Sequence, residues 1–255
     1  MDYKIAFVLN SLPLYRIMPL KWLNVMIKER KNTLVRPSCW SDPYETNYSN
    51  SVIATEKGDI PLDASHWFGQ CWSICEESAI MWQAFQNHKE SFVKIKVDAE
   101  GLMKGLSGSG NGLRIAILEY IRYFSPTLEN DYKDKLHDVI SFHKWTQNFI
   151  KHGVTLAELY PMFSLLTKRD LFKHEEEVRL LLFDKSSSVN QKKIEYPFDP
   201  SLIREIVVDP DTSRNNKRFY KIERDLRKIL PNKDTIIRKS EIYADNKKFF
   251  IRYNG

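Results

Sequence analysis

The run Val178-Arg179-Leu180-Leu181-Leu182-Phe183 constrains this chain more than any other stretch. It is short, includes a β-branched residue and a large aromatic, and stops at Asp184-Lys185-Ser186-Ser187-Ser188, so it predicts a buried strand bounded by a turn. Three carboxylates, Glu175-Glu176-Glu177, lead into it. If the strand extends back through them, Glu175 and Glu177 share one face and Glu176 takes the other. Like charges side by side at a sheet edge repel, so at least one carboxylate is expected to be proton-sensitive or functional. The plainer alternative is a charged strand start with no chemistry.

Other strands are predicted at Leu14-Tyr15-Arg16, at the aromatic-dense segment His66 to Ser73, and at Ile203 to Val208. Phe92 to Val97 alternates Val93, Ile95 and Val97 against Lys94 and Lys96, the pattern of a half-exposed strand. Leu20, Leu23 and Ile27 fit a helix, and Ser78 is placed to cap another that carries Ile80, Met81, Trp82 and Phe85. Gly105 to Gly112 holds four of the nine glycines and predicts a flexible loop. It has neither the Lys-Ser/Thr of a phosphate-binding loop nor the last glycine of a dinucleotide fingerprint.

Ile117, Ile121 and Phe124, then Leu136, Val139, Ile140 and Phe149, suggest helix, so residues 103–165 are expected as a helical insertion within a single catalytic-type domain spanning 1–255. Ser213 is expected to cap a basic amphipathic helix to Leu230. Phe219, Ile222, Leu226 and Ile229 lie on one side of it, with Arg214, Lys217, Arg218, Lys221, Arg224, Arg227 and Lys228 elsewhere. Thr235 to Tyr253 reads as two strands turning at Asp245-Asn246. Strands and helices do not alternate strictly, which makes the expected class α+β.

The net charge of +6 favours an anionic partner, a nucleic acid slightly ahead of a protein, although a solvated basic surface would give the same balance. Cys39, Cys71 and Cys75 form no C-x-x-C pair and suit a reducing, cytoplasmic location. The apolar stretch Ile5 to Leu9 is too short to span a bilayer and lacks the basic flank of a signal peptide, so no membrane partner is expected. The histidines show no H-E-x-x-H spacing, and His137-Asp138 is a bare dipeptide, so no metal site is expected. A serine nucleophile elbow is absent.

What remains is an arginine on an early strand, a serine ending a second strand, and Glu175-x-Glu177 opening a third. An arginine fork can grip a diphosphate. A serine hydroxyl can orient a carboxylate, and a carboxylate can stabilise an oxocarbenium-like centre as a glycosidic bond breaks. Tyr15-Arg16, Ser73 and Glu175-Glu176-Glu177-Val178 resemble the Arg–Ser–Glu signature of the ADP-ribosyltransferases. The wider set Leu14-Tyr15-Arg16, Trp40-x-Asp42-Pro43-x-Glu45, Cys71-Trp72-Ser73, Met81-Trp82 and Phe172-x-His174-Glu175-x-Glu177-Val178-Arg179 also resembles a widespread, uncharacterised bacterial domain family.

The first resemblance implies an ADP-ribosyltransferase-like split β-sandwich around an NAD cleft, here with an inserted helical layer. It implies that Tyr15, Arg16, Trp72 and Ser73 bind NAD, that Ser73 positions the carboxylate, that Glu177 stabilises the ribosyl cation, and that Glu175 activates the acceptor. Thr167 to His174 would sit where such enzymes recognise their target. A toxin or anti-phage role, with an antitoxin or defence-system partner, belongs to the same resemblance. The sequence departs from it in offering Cys71-Trp72-Ser73 where the family has Ser-Thr-Ser.

Other readings stay open. Arg16 can be an ion-pair partner of Asp42 or Glu45, Ser73 a plain strand-end hydroxyl, and Trp72 and Trp82 core residues. A metal-dependent nuclease would use Asp42, Glu45, Glu175 and Glu177 around Mg²⁺. A non-catalytic nucleic-acid or partner-binding module would use the C-terminal basic helix.

Overall fold

The computed structural model describes residues 4–7, 12–40, 42, 45, 52–54, 56, 58–85, 90–107, 113–125 and 149–243. Its strands are β1 (Lys4–Phe7), β2 (Pro13–Pro19), β3 (Lys31–Val35), β4 (Val52–Ile53), β5 (Ile60–Pro61), β6 (Trp67–Ser73), β7 (Phe92–Asp98), β8 (Arg114–Tyr120), β9 (Arg122–Phe124), β10 (Thr167–Arg169), β11 (Glu177–Asp184), β12 (Lys193–Pro197), β13 (Glu205–Val208) and β14 (Ile236–Lys239). Its helices are α1 (Leu20–Glu29), α2 (Ala79–Phe85), α3 (Ala99–Ser107), α4 (Leu156–Leu159), α5 (Pro161–Leu165), α6 (Pro210–Arg214) and α7 (Asn216–Ile229).

The class is α+β. A mixed sheet runs in the order β1-β8-β11-β6-β2-β7-β13-β14, with the β3–β12 pair branching from β6. The apolar run is β11, paired antiparallel to β6 on one edge and to β8 on the other. Val178, Leu180 and Leu182 enter a core shared with Leu14, Phe68 and Trp72 and with Leu23, Leu102 and Leu226 of the helices. Leu181 and Phe183 enter a second core with Trp67, Ile117 and Phe163. Neither face meets water, so the run is continuously apolar rather than alternating. Each such side chain contributes roughly 1.5–3 kcal/mol by burial.

β6 changes partner along its length. Gly69 pairs with Val35 of β3, whereas Ser73 pairs with Tyr15 of β2. Gln70, Cys71 and Trp72 lie between these two registers, and there the sheet opens into a cleft.

Several expectations are corrected. The strand begins at Glu177, not Glu175. Residues Asp170–Glu175 form a 3₁₀ helix, and Glu176 turns the chain in the left-handed region at φ 43°. β7 is interior to the sheet, and Lys94 is 3% exposed, so this strand is not half-exposed. The expected loop from Gly105 starts instead as the last turn of α3. Within the expected helical insertion, residues 114–124 are β8 and β9, because Ile115 to Leu118 are buried on both faces of the sheet.

Ser213 lies inside α6, and α7 is capped by Asn215, whose side chain accepts from the Arg218 amide. Ser78 caps α2 as expected, accepting from the Met81 amide. The glycine-rich residues 108–112, the segment with Leu136, His137, Asp138, Val139 and Ile140, and the Asp245-Asn246 turn lie outside the described residues.

Candidate active-site cleft

Residues directly opposite each other in a ladder point to the same face. Lys96 faces Tyr15, Tyr15 faces Ser73, and Ser73 faces Glu177, so β7, β2, β6 and β11 place these four in one row. Tyr15, Arg16, Trp72, Ser73, Glu175 and Glu177 all line the cleft at the split, which has a volume of about 260 Å³. The structure therefore brings the six residues named for NAD binding and transfer to one cleft.

The carboxylates are organised by cations. Lys168 of β10 places its Nζ 2.6 Å from Glu175, 3.0 Å from Glu177 and 3.3 Å from Glu45. Arg179, fully buried, donates from Nε to Glu177 Oε1 at 2.7 Å, from Nη2 to Glu45 Oε1 at 2.8 Å and from Nη1 to the Leu165 carbonyl at 2.6 Å. Its guanidinium lies 4.4 Å from the Trp40 ring centroid. Trp40 can lie this close because Gly69 has no side chain; a Cβ there would stand 2.6 Å from the indole.

These contacts separate the two carboxyl groups. Burial raises the Glu177 pKa, but Arg179 and Lys168 outweigh it and hold Glu177 below the ordinary glutamate range. Burial dominates at Glu175, whose pKa is raised although Lys168 pulls it down. Glu175 is thus the proton-sensitive member of the pair. The expected mutual repulsion is answered by an ammonium held between them. The Glu177 amide donates to the Tyr123 hydroxyl at 2.8 Å, and burial pushes that phenol up to about 12.

Ser73 acts on main chain. Its Oγ donates to the Glu175 carbonyl at 2.7 Å and accepts from the Cys75 amide at 2.9 Å, fixing the turn that delivers both glutamates. Trp72 and Trp82 are core residues, 3% and 1% exposed; Trp72 borders the cleft and carries Arg16 at 5.9 Å from its ring centroid. Cys71 is exposed, and desolvation followed by the charge of Glu177 pushes its thiol pKa up.

Arg16 is half-buried, and burial lowers its pKa; the groups opposing this are the Cys71 thiol and the Tyr196 phenol. Among the described residues no carboxylate reaches it. Asp42 pairs with Arg169 at 3.1 Å, and Glu45 pairs with Arg179 and Lys168. The ion-pair reading of Arg16 with these two acids is therefore not what the structure shows.

Lys168 was not singled out by the sequence, and Trp40 and Arg179 entered only as members of the wider motif set, without a role. A lysine-arginine pair after the apolar Leu165-Leu166 was the available sign that a charge enters the core.

No protein-family model and no curated protein matches the sequence. Among solved structures, the chain is similar to Thermus sp. 2.9 DarT in complex with NAD⁺, at 10% identity and TM-score 0.39 over 92% of this chain and 98% of that one. It is likewise similar to the same protein's complex with carba-NAD⁺, at 11% identity and TM-score 0.39 over 91% and 97%. The complex with ADP-ribosylated ssDNA gives 12% identity and TM-score 0.40 over 94% and 98%.

Among the described residues, no helix is long and apolar enough to cross a membrane.

Proposed function

We propose that the protein is an NAD-dependent ADP-ribosyltransferase that modifies a macromolecule, with a nucleic acid favoured as acceptor. The observation that carries this is Arg16: an arginine without a carboxylate partner among the described residues, lining the same cleft as a fixed pair of glutamates. Even a half-buried guanidinium with no counter-charge among the described residues is costly, and an anionic ligand would supply one.

The cleft, at about 260 Å³, lies just under the roughly 300–1,000 Å³ of small-molecule sites, so it would enclose part of a dinucleotide and leave the rest exposed. Bound there, NAD would supply a ribosyl carbon with nicotinamide as its leaving group. Arg16 would take the diphosphate in a bidentate grip. Tyr15 and Trp72 would border the nicotinamide half. Glu177, kept ionised by Arg179 and Lys168, would set a negative potential where positive charge develops on the ribose. Ser73 would hold the Glu175 turn in place. Glu175, whose proton is held more tightly, would serve as the acid–base group for the acceptor.

Glu177 also lines a second opening, of about 460 Å³, with Tyr120, Tyr123, Lys173 and His174, and through this the acceptor would approach. Toxin or anti-phage activity is the cellular role that goes with this chemistry.

The Mg²⁺ nuclease alternative meets a specific obstacle. The point between Glu45, Glu175 and Glu177 where a cation would sit is filled by the Lys168 ammonium.

The test is nicotinamide release by wild type, Arg16→Ala and Glu177→Gln, with chelator throughout and circular dichroism to confirm folding. Release by wild type that is lost in both folded variants is expected. Undiminished release in both would overturn the assignment.

A further inference from the structure

α7 presents a cationic stripe that takes no part in the cleft. Lys217, Lys221, Arg224 and Lys228 recur at i, i+4, i+7 and i+11, so their side chains fall in line on one side of the helix, and all four are exposed. Arg218 flanks this line and, with Lys221, Asn24 and Ser91, lines a groove of about 310 Å³ between α1 and α7. Tyr220, 61% exposed, flanks the other side. Among the described residues Lys217, Arg218 and Lys221 form no ion pair within 4 Å, while Arg224 and Lys228 share Asp225 at 3.7 and 3.1 Å on the open surface. Exposed pairs of that kind contribute roughly 0–1 kcal/mol and exchange readily for another anion.

We propose that this face of α7 is a docking ridge for a nucleic-acid strand, separate from the cleft. The inference deepens the acceptor half of the transferase reading and rests on it for the expectation that the docked strand is also modified. The stripe covers about 16 Å of helix axis, the length over which one strand presents about five phosphates. Its composition separates nucleic acid from the other polyanions. A membrane-surface helix needs an apolar face to insert, but Phe219 and Leu226 of α7 are packed in the protein core. An acidic protein partner calls for an apolar interface centre, and this ridge offers Tyr220 alone, a ring suited to stacking on a base.

The test uses the full chain with the exposed residues Lys217, Arg218, Lys221 and Arg224 all changed to serine. Binding of fluorescein-labelled mixed-sequence 12-mers of DNA and RNA is followed by anisotropy from 50 to 200 mM salt. Nicotinamide release without nucleic acid is measured in parallel. The variant is expected to lose at least tenfold in affinity at 50 mM salt, and its salt slope should fall by about 3, since each lost phosphate contact removes roughly 0.7–0.9. Nicotinamide release should match wild type.

Equal binding by variant and wild type, or no binding of either 12-mer by wild type, overturns the ridge. So does wild-type binding to phosphatidylserine vesicles in preference to the 12-mers. Absent nicotinamide release would instead count against the cleft assignment and leave the anisotropy result to stand by itself.

Discussion

Replacing Lys168 with methionine removes a cation shared by Glu45, Glu175 and Glu177 while keeping an unbranched side chain in the same space. At roughly 3 Å and an effective dielectric of about 20, each of the three contacts carries about 5 kcal/mol of bare attraction. Most of this offsets desolvation, and experience with buried pairs puts the net loss on removing one partner at about 3–5 kcal/mol. For a chain of this size that corresponds to a fall in Tm of roughly 6–20 °C.

The loss should depend on pH, and its sign follows from the glutamates. Glu177 titrates below its unfolded value, so its stabilising contribution is present above that value and is lost as pH falls through the folded one. Without Lys168, both Glu175 and Glu177 hold their protons more tightly. The deficit of Lys168→Met is therefore largest near pH 7.5 and shrinks toward pH 4 as Glu175 and Glu177 begin to take up protons. Urea denaturation at the two pH values measures it. Lys185→Met serves as control, because Lys185 is 40% exposed where it meets Glu158, and it should cost no more than about 1 kcal/mol. A deficit below about 1 kcal/mol at pH 7.5, or one that does not change with pH, would refute the view that Lys168 holds the site together.

Other substitutions probe separate features. Lys94→Met should stabilise by roughly 1–3 kcal/mol, since it removes a buried amine with no hydrogen-bond partner among the described residues. Burial lowers the Lys94 pKa, so its charging penalty fades as pH rises toward the unfolded value near 10.4, and the advantage of the variant in thermal melts should fade with it. Gly69→Ala drives a methyl into Trp40 and Leu181 and should cost roughly 1–3 kcal/mol, with a change in tryptophan fluorescence as the indole leaves Arg179. Asn215→Ala should cost about 1 kcal/mol in chemical denaturation through loss of the α7 cap; no measurable change would place the start of the helix elsewhere.

The strands that build the cleft were legible because their signals are local. The apolar run at Val178 to Phe183 stops at a turn, and Arg16 and Ser73 sit within recognisable strands. β8 was misread because its centre, Ile115 to Leu118, is buried on both faces and apolar at every position. Its Ile117 therefore combines with Ile121 and Phe124 to match a helical spacing by default.

The placement of Glu175 failed for a different reason. Glu176 adopts a left-handed conformation that ordinary side chains seldom take, so nothing in the sequence marks the break between the 3₁₀ helix and the strand. Lys168 and Glu45 were invisible as a unit because what joins them to Glu177 is the fold of the sheet, not their spacing.

The change of partner along β6 has a consequence for any molecule meant to occupy the cleft. Gln70, Cys71 and Trp72 have no ladder neighbour on the edge between β3 and β2, so those of their main-chain amide and carbonyl groups that point away from β11 have no strand partner there. Short of proline, a point mutation leaves backbone donors and acceptors in place. An inhibitor with a flat, amide-bearing spine laid along β6 would draw its hydrogen bonds from groups that ordinary side-chain substitution does not remove.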